Sequence, residues 1–276
     1  MTERRWLVTG CSSGLGRALA QRLADSGTRA VITARDESSL ADLAAAGPHI
    51  VTAALDVTDP AQCTAAVELA VERFGGLDVL VNNAGYGQFG VVEEVTDSEL
   101  HAQLDANLYG PWRLVRAALP HWRAAGRGHA IFASSVSGMF ALPGLSAYTA
   151  SKHALEGLAE SVHMEAGHLG VKVSILQLGG FSTSYGDKVH QPDTRIDAYR
   201  DVVAPVDTGL RSMRDNTVAA PADIYATVVT GIAAMAEPPL RLVFGGAAED
   251  MLTPVVAYRQ SALTDSRALV EKLLGA

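Results

Sequence analysis

Residues 5–16 read RWLVTGCSSGLG. A short apolar run with strand character ends in Thr9 and Gly10, a glycine-rich turn follows, and an amphipathic stretch from Gly14 to Ser26 continues as a helix. Glycines at such a corner permit a tight turn and let the backbone approach a pyrophosphate at the positive helix end. A glycine-rich turn alone also serves simple packing, so the strand before it and the helix after it carry the inference.

Working outward, the same alternation recurs. RAVITA (29–34), a helical stretch over 37–46 and HIVTAALDV (49–57) complete a βαβαβ unit. A helix over 60–74, the strand LDVLVNN (77–83), a long helix over 97–125 and the strand HAIFAS (129–134) continue it. A helix over 146–169, the strand VKVSILQL (171–178), a helix over 221–236, the strand LRLVFG (240–245) and a terminal helix close the chain. The pattern predicts one α/β domain over 1–276: a Rossmann-like, doubly wound parallel sheet of about seven strands with helices on both faces and ligands at the carboxyl ends of the strands. Residues 181–216 are polar, carry Gly186, Pro192, Pro205 and Gly209 and lack periodicity, which predicts an irregular lid over the site.

The bulk numbers exclude other classes. At 276 residues and 48% hydrophobic content the chain can bury a large core, and its net charge of −8 argues against a nucleic-acid surface or a polybasic membrane contact. No apolar run is long enough to span a bilayer, and MTERRWLVTG runs straight into a strand, so a soluble, cytoplasmic protein is expected. Cys11 and Cys63 have neither metal-ligand nor redox-pair spacing, which suits a reducing compartment and predicts no metal.

A second constellation lies in the middle of the chain. Tyr148 and Lys152, four apart in a helical stretch, share a face, so the ammonium can sit near the phenol and favour the phenolate. Reduction of a carbonyl needs such an acid, because a free tyrosine titrates near 10. Ser135 directly follows HAIFAS, at the end of that strand and thirteen residues before Tyr148, where its hydroxyl can hold the substrate oxygen. Ser134 is its rival, and Ser137 a weaker one that fits the pocket wall. Asn107 in LDANLYG stands mid-helix against its propensity, either with a function or as an irregularity before Gly110 and Pro111.

Together these motifs resemble the short-chain dehydrogenase/reductase family over nearly the whole chain. TGCSSGLG matches its TGxxxGxG fingerprint; YxxxK, the upstream serine and NNAG (82–85) match the rest. The resemblance implies Tyr148 as acid or base, Lys152 as pKa modulator and ribose ligand, Ser135 as carbonyl positioner and Asn107 as proton-relay support. It also implies cofactor contacts from Gly10, Ser12, Ser13, Gly14, Leu15 and Gly16, from Asp56 and Val57 at the adenine, and from Asn83, Ala84 and Gly85 beside the nicotinamide half. Gly179 and Thr183 follow the sixth strand, with Thr183 as the partner of the nicotinamide amide or diphosphate. Leu178 stands where the family usually has proline, which predicts a less constrained loop that keeps an apolar contact.

Cofactor choice turns on the end of the second strand. Ala34 occupies the place of the acid that bonds a ribose 2′-hydroxyl, and Arg35 follows it, placed to neutralise a 2′-phosphate; this predicts NADP(H) over NAD(H). Asp36 is a ribose ligand or a helix cap. Tyr86, Phe89, Ser137, Met139, Phe140 and Leu142, with Gly180, Phe181 and Tyr185 beyond the sixth strand, border the expected site and imply a largely apolar pocket. His190 and Tyr199 lie in the lid with no direction fixed.

The expected activity is hydride transfer between nicotinamide and a ketone, aldehyde or secondary alcohol. An epimerase or dehydratase with transient cofactor use and a non-catalytic NADP-sensing protein are the alternatives; the latter predicts loss of the tyrosine or lysine, and both are present. The family's pairing helices correspond to those around Asn107 and Tyr148, which predicts a homodimer or homotetramer.

Overall fold

A computed structural model describes residues 4–274. Seven strands, β1 (Trp6–Val8), β2 (Ala30–Ala34), β3 (Ile50–Ala54), β4 (Val79–Asn82), β5 (Gly128–Ala133), β6 (Val171–Leu178) and β7 (Arg241–Phe244), form one sheet in the order β3-β2-β1-β4-β5-β6-β7. Every pairing is parallel. The strands are apolar throughout because helices cover both faces, and alternate residues divide between two cores. Val8, Ile32, Val81, Ile131 and Leu176 face α1 (Gly14–Asp25) and α8 (Ala222–Ala234). Leu7, Val31, Leu80, Phe132 and Ile175 face α3 (Pro60–Phe74), α5 (Gly110–Ala125) and α6 (Ser146–Ala166). Strand order reverses between β1 and β4, opening a crevice at their carboxyl ends.

Three segments differ from the sequence expectation. Residues 37–46 split into a 3-10 turn, Glu37–Leu40, and the single-turn α2 (Ala41–Ala44). The stretch 97–125 is not one regular helix: α4 (Asp97–Leu104) passes through a π-helical turn, Asp105–Tyr109, into α5. There the Gly110 amide donates to the Asp105 carbonyl, five residues back, and Pro111 has no amide to return to Asn107. Residues 181–216 contain a helix, α7 (Arg200–Arg211), despite Pro205 and Gly209. Val203, Val206 and Leu210 at helical spacing pack against a small core of Phe89, Leu145 and Val189, and that burial outweighs the internal proline. The final helix is α9 (Ala248–Leu274). Among the described residues no helix is long and apolar enough to cross a membrane.

Candidate active site

The glycine turn and the end of β4 are tied together across the crevice. The Thr9 hydroxyl accepts from the amides of Asn83 (3.0 Å) and Ala84 (2.9 Å), and the Asn83 side chain donates to the Thr9 carbonyl at 2.8 Å. A side chain at Gly16 would collide with the Gly10 carbonyl and the Asn83 amide, so this close approach demands glycine. Ser13 precedes α1 in extended conformation, and its hydroxyl caps none of the first-turn amides. Those donors have no partner within the helix and face an open turn, which fits a diphosphate. Thr183 lies above Gly14, where an added Cβ would sit 3.7 Å from it, and Lys188 donates to the Ser13 hydroxyl at 2.8 Å.

At the end of β2, Ala34 is buried, while Arg35 is exposed and makes no ion pair among the described residues. Asp36 is the helix cap: its carboxylate accepts from the amide and hydroxyl of Ser38, at 3.0 and 2.7 Å. Asp56 spends one oxygen on the amide and hydroxyl of Thr58, and Val57 packs at Gly110. Burial pushes the Cys11 thiol up to about 12 and that of Cys63 to about 11, which leaves both unreactive at neutral pH.

The catalytic candidates converge at the carboxyl ends of β4 and β5. The Tyr148 hydroxyl lies beside those of Ser135 and Tyr185. Ser134 is excluded from that cluster, because its hydroxyl donates to buried Glu156 at 2.9 Å. Ser137 is buried, and its amide donates to the Ser135 hydroxyl at 3.1 Å. Lys152 donates to the Ala133 carbonyl at 2.7 Å, with its ammonium 5.6 Å from the Tyr148 ring centre. Burial lowers the lysine to about 8, against the opposing pull of the Glu156 carboxylate. For Tyr148 the balance departs from the expectation of an activated phenol. Burial raises its pKa, and the nearby hydroxyls of Ser135 and Tyr185 only partly offset that. The ammonium is held by the Ala133 carbonyl on one side and the Tyr148 ring on the other, one helical turn from the phenol.

Asn107, in the π-helical turn, acts as a clamp. Its side chain accepts from the Tyr86 amide (3.2 Å) and donates to the Tyr86 carbonyl (3.0 Å) and the Ser151 hydroxyl (3.1 Å). Ser151 in turn donates to the Tyr148 carbonyl at 2.7 Å, so the loop after β4 and the helix α6 are locked to each other. Gly85 lies between them: an added Cβ would sit 2.9 Å from the Asn107 carbonyl oxygen and 4.0 Å from the Lys152 ammonium. The buried Glu156 network, with Gln177 donating at 2.9 Å and Arg241 at 3.2 Å, had no signal in the sequence beyond one acidic residue a turn after Lys152.

The pocket residues divide. The rings of Tyr86 and His190 meet at 4.8 Å with a 54° tilt, and Leu142, Tyr148 and Tyr185 border the same small core. Met139 and Phe140 pack towards α9 with Val136 and Leu252. Phe89 and Phe181 are core residues rather than cleft wall: Phe89 is sealed inside the lid cluster, and Phe181 meets Tyr225 and Phe244 edge to face. Tyr199 points outward to Glu93, at 2.7 Å. The loop after Leu178 is well held despite the missing proline, because Gly179 donates to Phe244 and Gly180 exchanges two bonds with Gly246 at 2.9 and 2.8 Å.

A parallel switch-point sheet, a glycine turn at a helix N-terminus and a serine–tyrosine–lysine cluster beside it define a dinucleotide-dependent oxidoreductase. Residues 4–194 match the family model for short chain dehydrogenases, and the chain belongs to the short-chain dehydrogenase/reductase family. A short-chain dehydrogenase from Streptomyces avermitilis is 35% identical, with a TM-score of 0.89 over 99% of this chain and 98% of that one. A Burkholderia phymatum member in complex with NAD is 26% identical (TM-score 0.80; 96% and 97% covered). A metagenomic short-chain oxidoreductase in complex with NADP is 30% identical (TM-score 0.70; 88% and 97% covered).

Proposed function

We propose that the protein is an NADP(H)-preferring oxidoreductase that interconverts a ketone or aldehyde and its alcohol. The observation that carries this reading is the meeting of the Tyr148 and Ser135 hydroxyls with Lys152 one helical turn away, beside the Asn83–Gly85 end of the dinucleotide crevice. The bound nicotinamide supplies or accepts the hydride. Ser135 and Tyr148 hold the carbonyl oxygen, and the carbon's gain of a hydride is balanced by transfer of the Tyr148 proton to that oxygen. Lys152 then returns a proton to the phenolate. Gly10, Ser12, Ser13, Gly14, Leu15 and Gly16 would hold the diphosphate, with Asp56 and Val57 at the adenine and Thr183 and Gly179 at the nicotinamide end.

NADP(H) is favoured over NAD(H) because the exposed guanidinium of Arg35, without an ion pair among the described residues, follows a position that carries no acid, and Asp36 is committed to Ser38. Relatives of this fold bind either cofactor, one with NAD and one with NADP. Residues 181–216 serve as the lid, and the unpaired buried thiols suit the cytoplasm. The test is Tyr148→Phe: with ketones and NADPH, turnover should fall about 100- to 10,000-fold while NADPH still binds. Undiminished turnover would refute the acid assignment, and tight NADPH binding by the wild type without net oxidation of it would refute the reductase reading.

A further inference from the structure

Tyr185 enters the site from the lid, two residues beyond Thr183, whose hydroxyl accepts from the Tyr185 amide at 3.3 Å. Its ring lies 6.2 Å from that of Tyr148. Its hydroxyl is shut off from solvent and has no hydrogen-bond partner of good geometry among the described residues, although it is close enough to the Tyr148 hydroxyl that each perturbs the ionisation of the other. The place is built for it. Any side chain at Gly87 would overlap the Tyr185 oxygen, and Gly87 is itself fixed by the amide of His190, which donates to its carbonyl at 2.8 Å.

A buried hydroxyl without a partner is costly, so a partner that arrives with a ligand is the economical reading of one aimed into an active site. A phenol standing in for the reacting oxygen would bond both Ser135 and Tyr148; that of Tyr185 is satisfied by neither. A carbonyl oxygen has two lone pairs, and the hydroxyls of Ser135 and Tyr148 use both. A third donor beside them can be met by a second acceptor atom on the ligand. We infer that Tyr185 binds a second oxygen of the substrate, on the carbon next to the reacting carbonyl, and that the site is built for α-oxygenated ketones such as α-hydroxy ketones. The inference rests on the reductase reading above and narrows its substrate class.

The test compares α-hydroxyacetophenone with propiophenone, which differ by a hydroxyl against a methyl on the carbon beside the carbonyl. Both are measured with NADPH for kcat/KM and, by calorimetry on protein saturated with NADP+, for binding. The wild type should favour the hydroxy ketone about tenfold or more in both readouts, and Tyr185→Phe should reduce that ratio by about tenfold. A wild type that does not discriminate, a preference that survives Tyr185→Phe, or an equal loss on both ketones would overturn the assignment. If the wild type reduces neither ketone nor any of a carbonyl panel, the reductase reading fails, while the binding ratio still decides the role of Tyr185.

Discussion

Lys152 is the group at the site whose protonation changes within the working pH range. Burial brings it to about 8, whereas the Tyr148 phenol is pushed above its usual value and stays protonated to higher pH. Below about pH 8 the ammonium can return a proton to the phenolate; above it the supply fails. Ketone reduction should therefore fall as pH rises through about 8, approaching tenfold per unit, and alcohol oxidation should move the opposite way. A reduction rate that stays level from pH 7 to 10 would contradict this role. Arg35 makes a separate prediction. Arg35→Ala should weaken NADPH by about 1.5–3 kcal/mol, the worth of a charge-assisted hydrogen bond, and leave NADH nearly unchanged. Fluorescence titration with the two cofactors measures it, and equal losses would show that the guanidinium does not meet the 2′-phosphate.

At the scale of elements, function depends on close approaches that a side chain would block. The β1–α1 turn touches the end of β4 through Thr9, Asn83 and Gly16, so Gly16→Ala should separate them and abolish NADPH binding, read by titration alongside circular dichroism to verify the fold. The glycine pattern, Tyr148 and Lys152 were legible in the sequence because each stands at a spacing that local geometry dictates, and Ser135 through the family resemblance those motifs carry. Local spacing alone did not separate Ser135 from its rival Ser134, since that turns on Glu156, 22 residues from Ser134, accepting the Ser134 hydroxyl. Likewise Phe181 reads as a pocket residue by its place after β6, yet its ring packs against Tyr225 and Phe244, residues 44 and 63 positions later. The helix α7 escaped periodicity because Pro205 and Gly209 masked it.

At the scale of the molecule, large apolar side chains remain on the outer faces of the helices beside the candidate site. Trp112 on α5 is 52% exposed and Met164 on α6 is 79% exposed, with Tyr109 also outward at the π-helical turn. We expect these faces to pair between copies of the chain as a homodimer or homotetramer. Trp112→Glu combined with Met164→Glu should shift the protein to a monomer in size-exclusion chromatography with light scattering; a wild type that is already monomeric would refute the assembly.

By itself, the sequence determined the parallel sheet and its covering helices and singled out Tyr148 and Lys152 as candidates, because apolar periodicity and i, i+4 spacing are local properties of a chain. Only the tertiary structure decided which way neighbouring side chains turn. The commitment of Ser134 to Glu156, the clamp of Asn107 on Tyr86 and Ser151, and the unpartnered hydroxyl of Tyr185 beside Tyr148 depend on contacts between segments far apart in sequence. Burial among those segments, which no local pattern encodes, also set the direction of the Tyr148 and Lys152 pKa shifts.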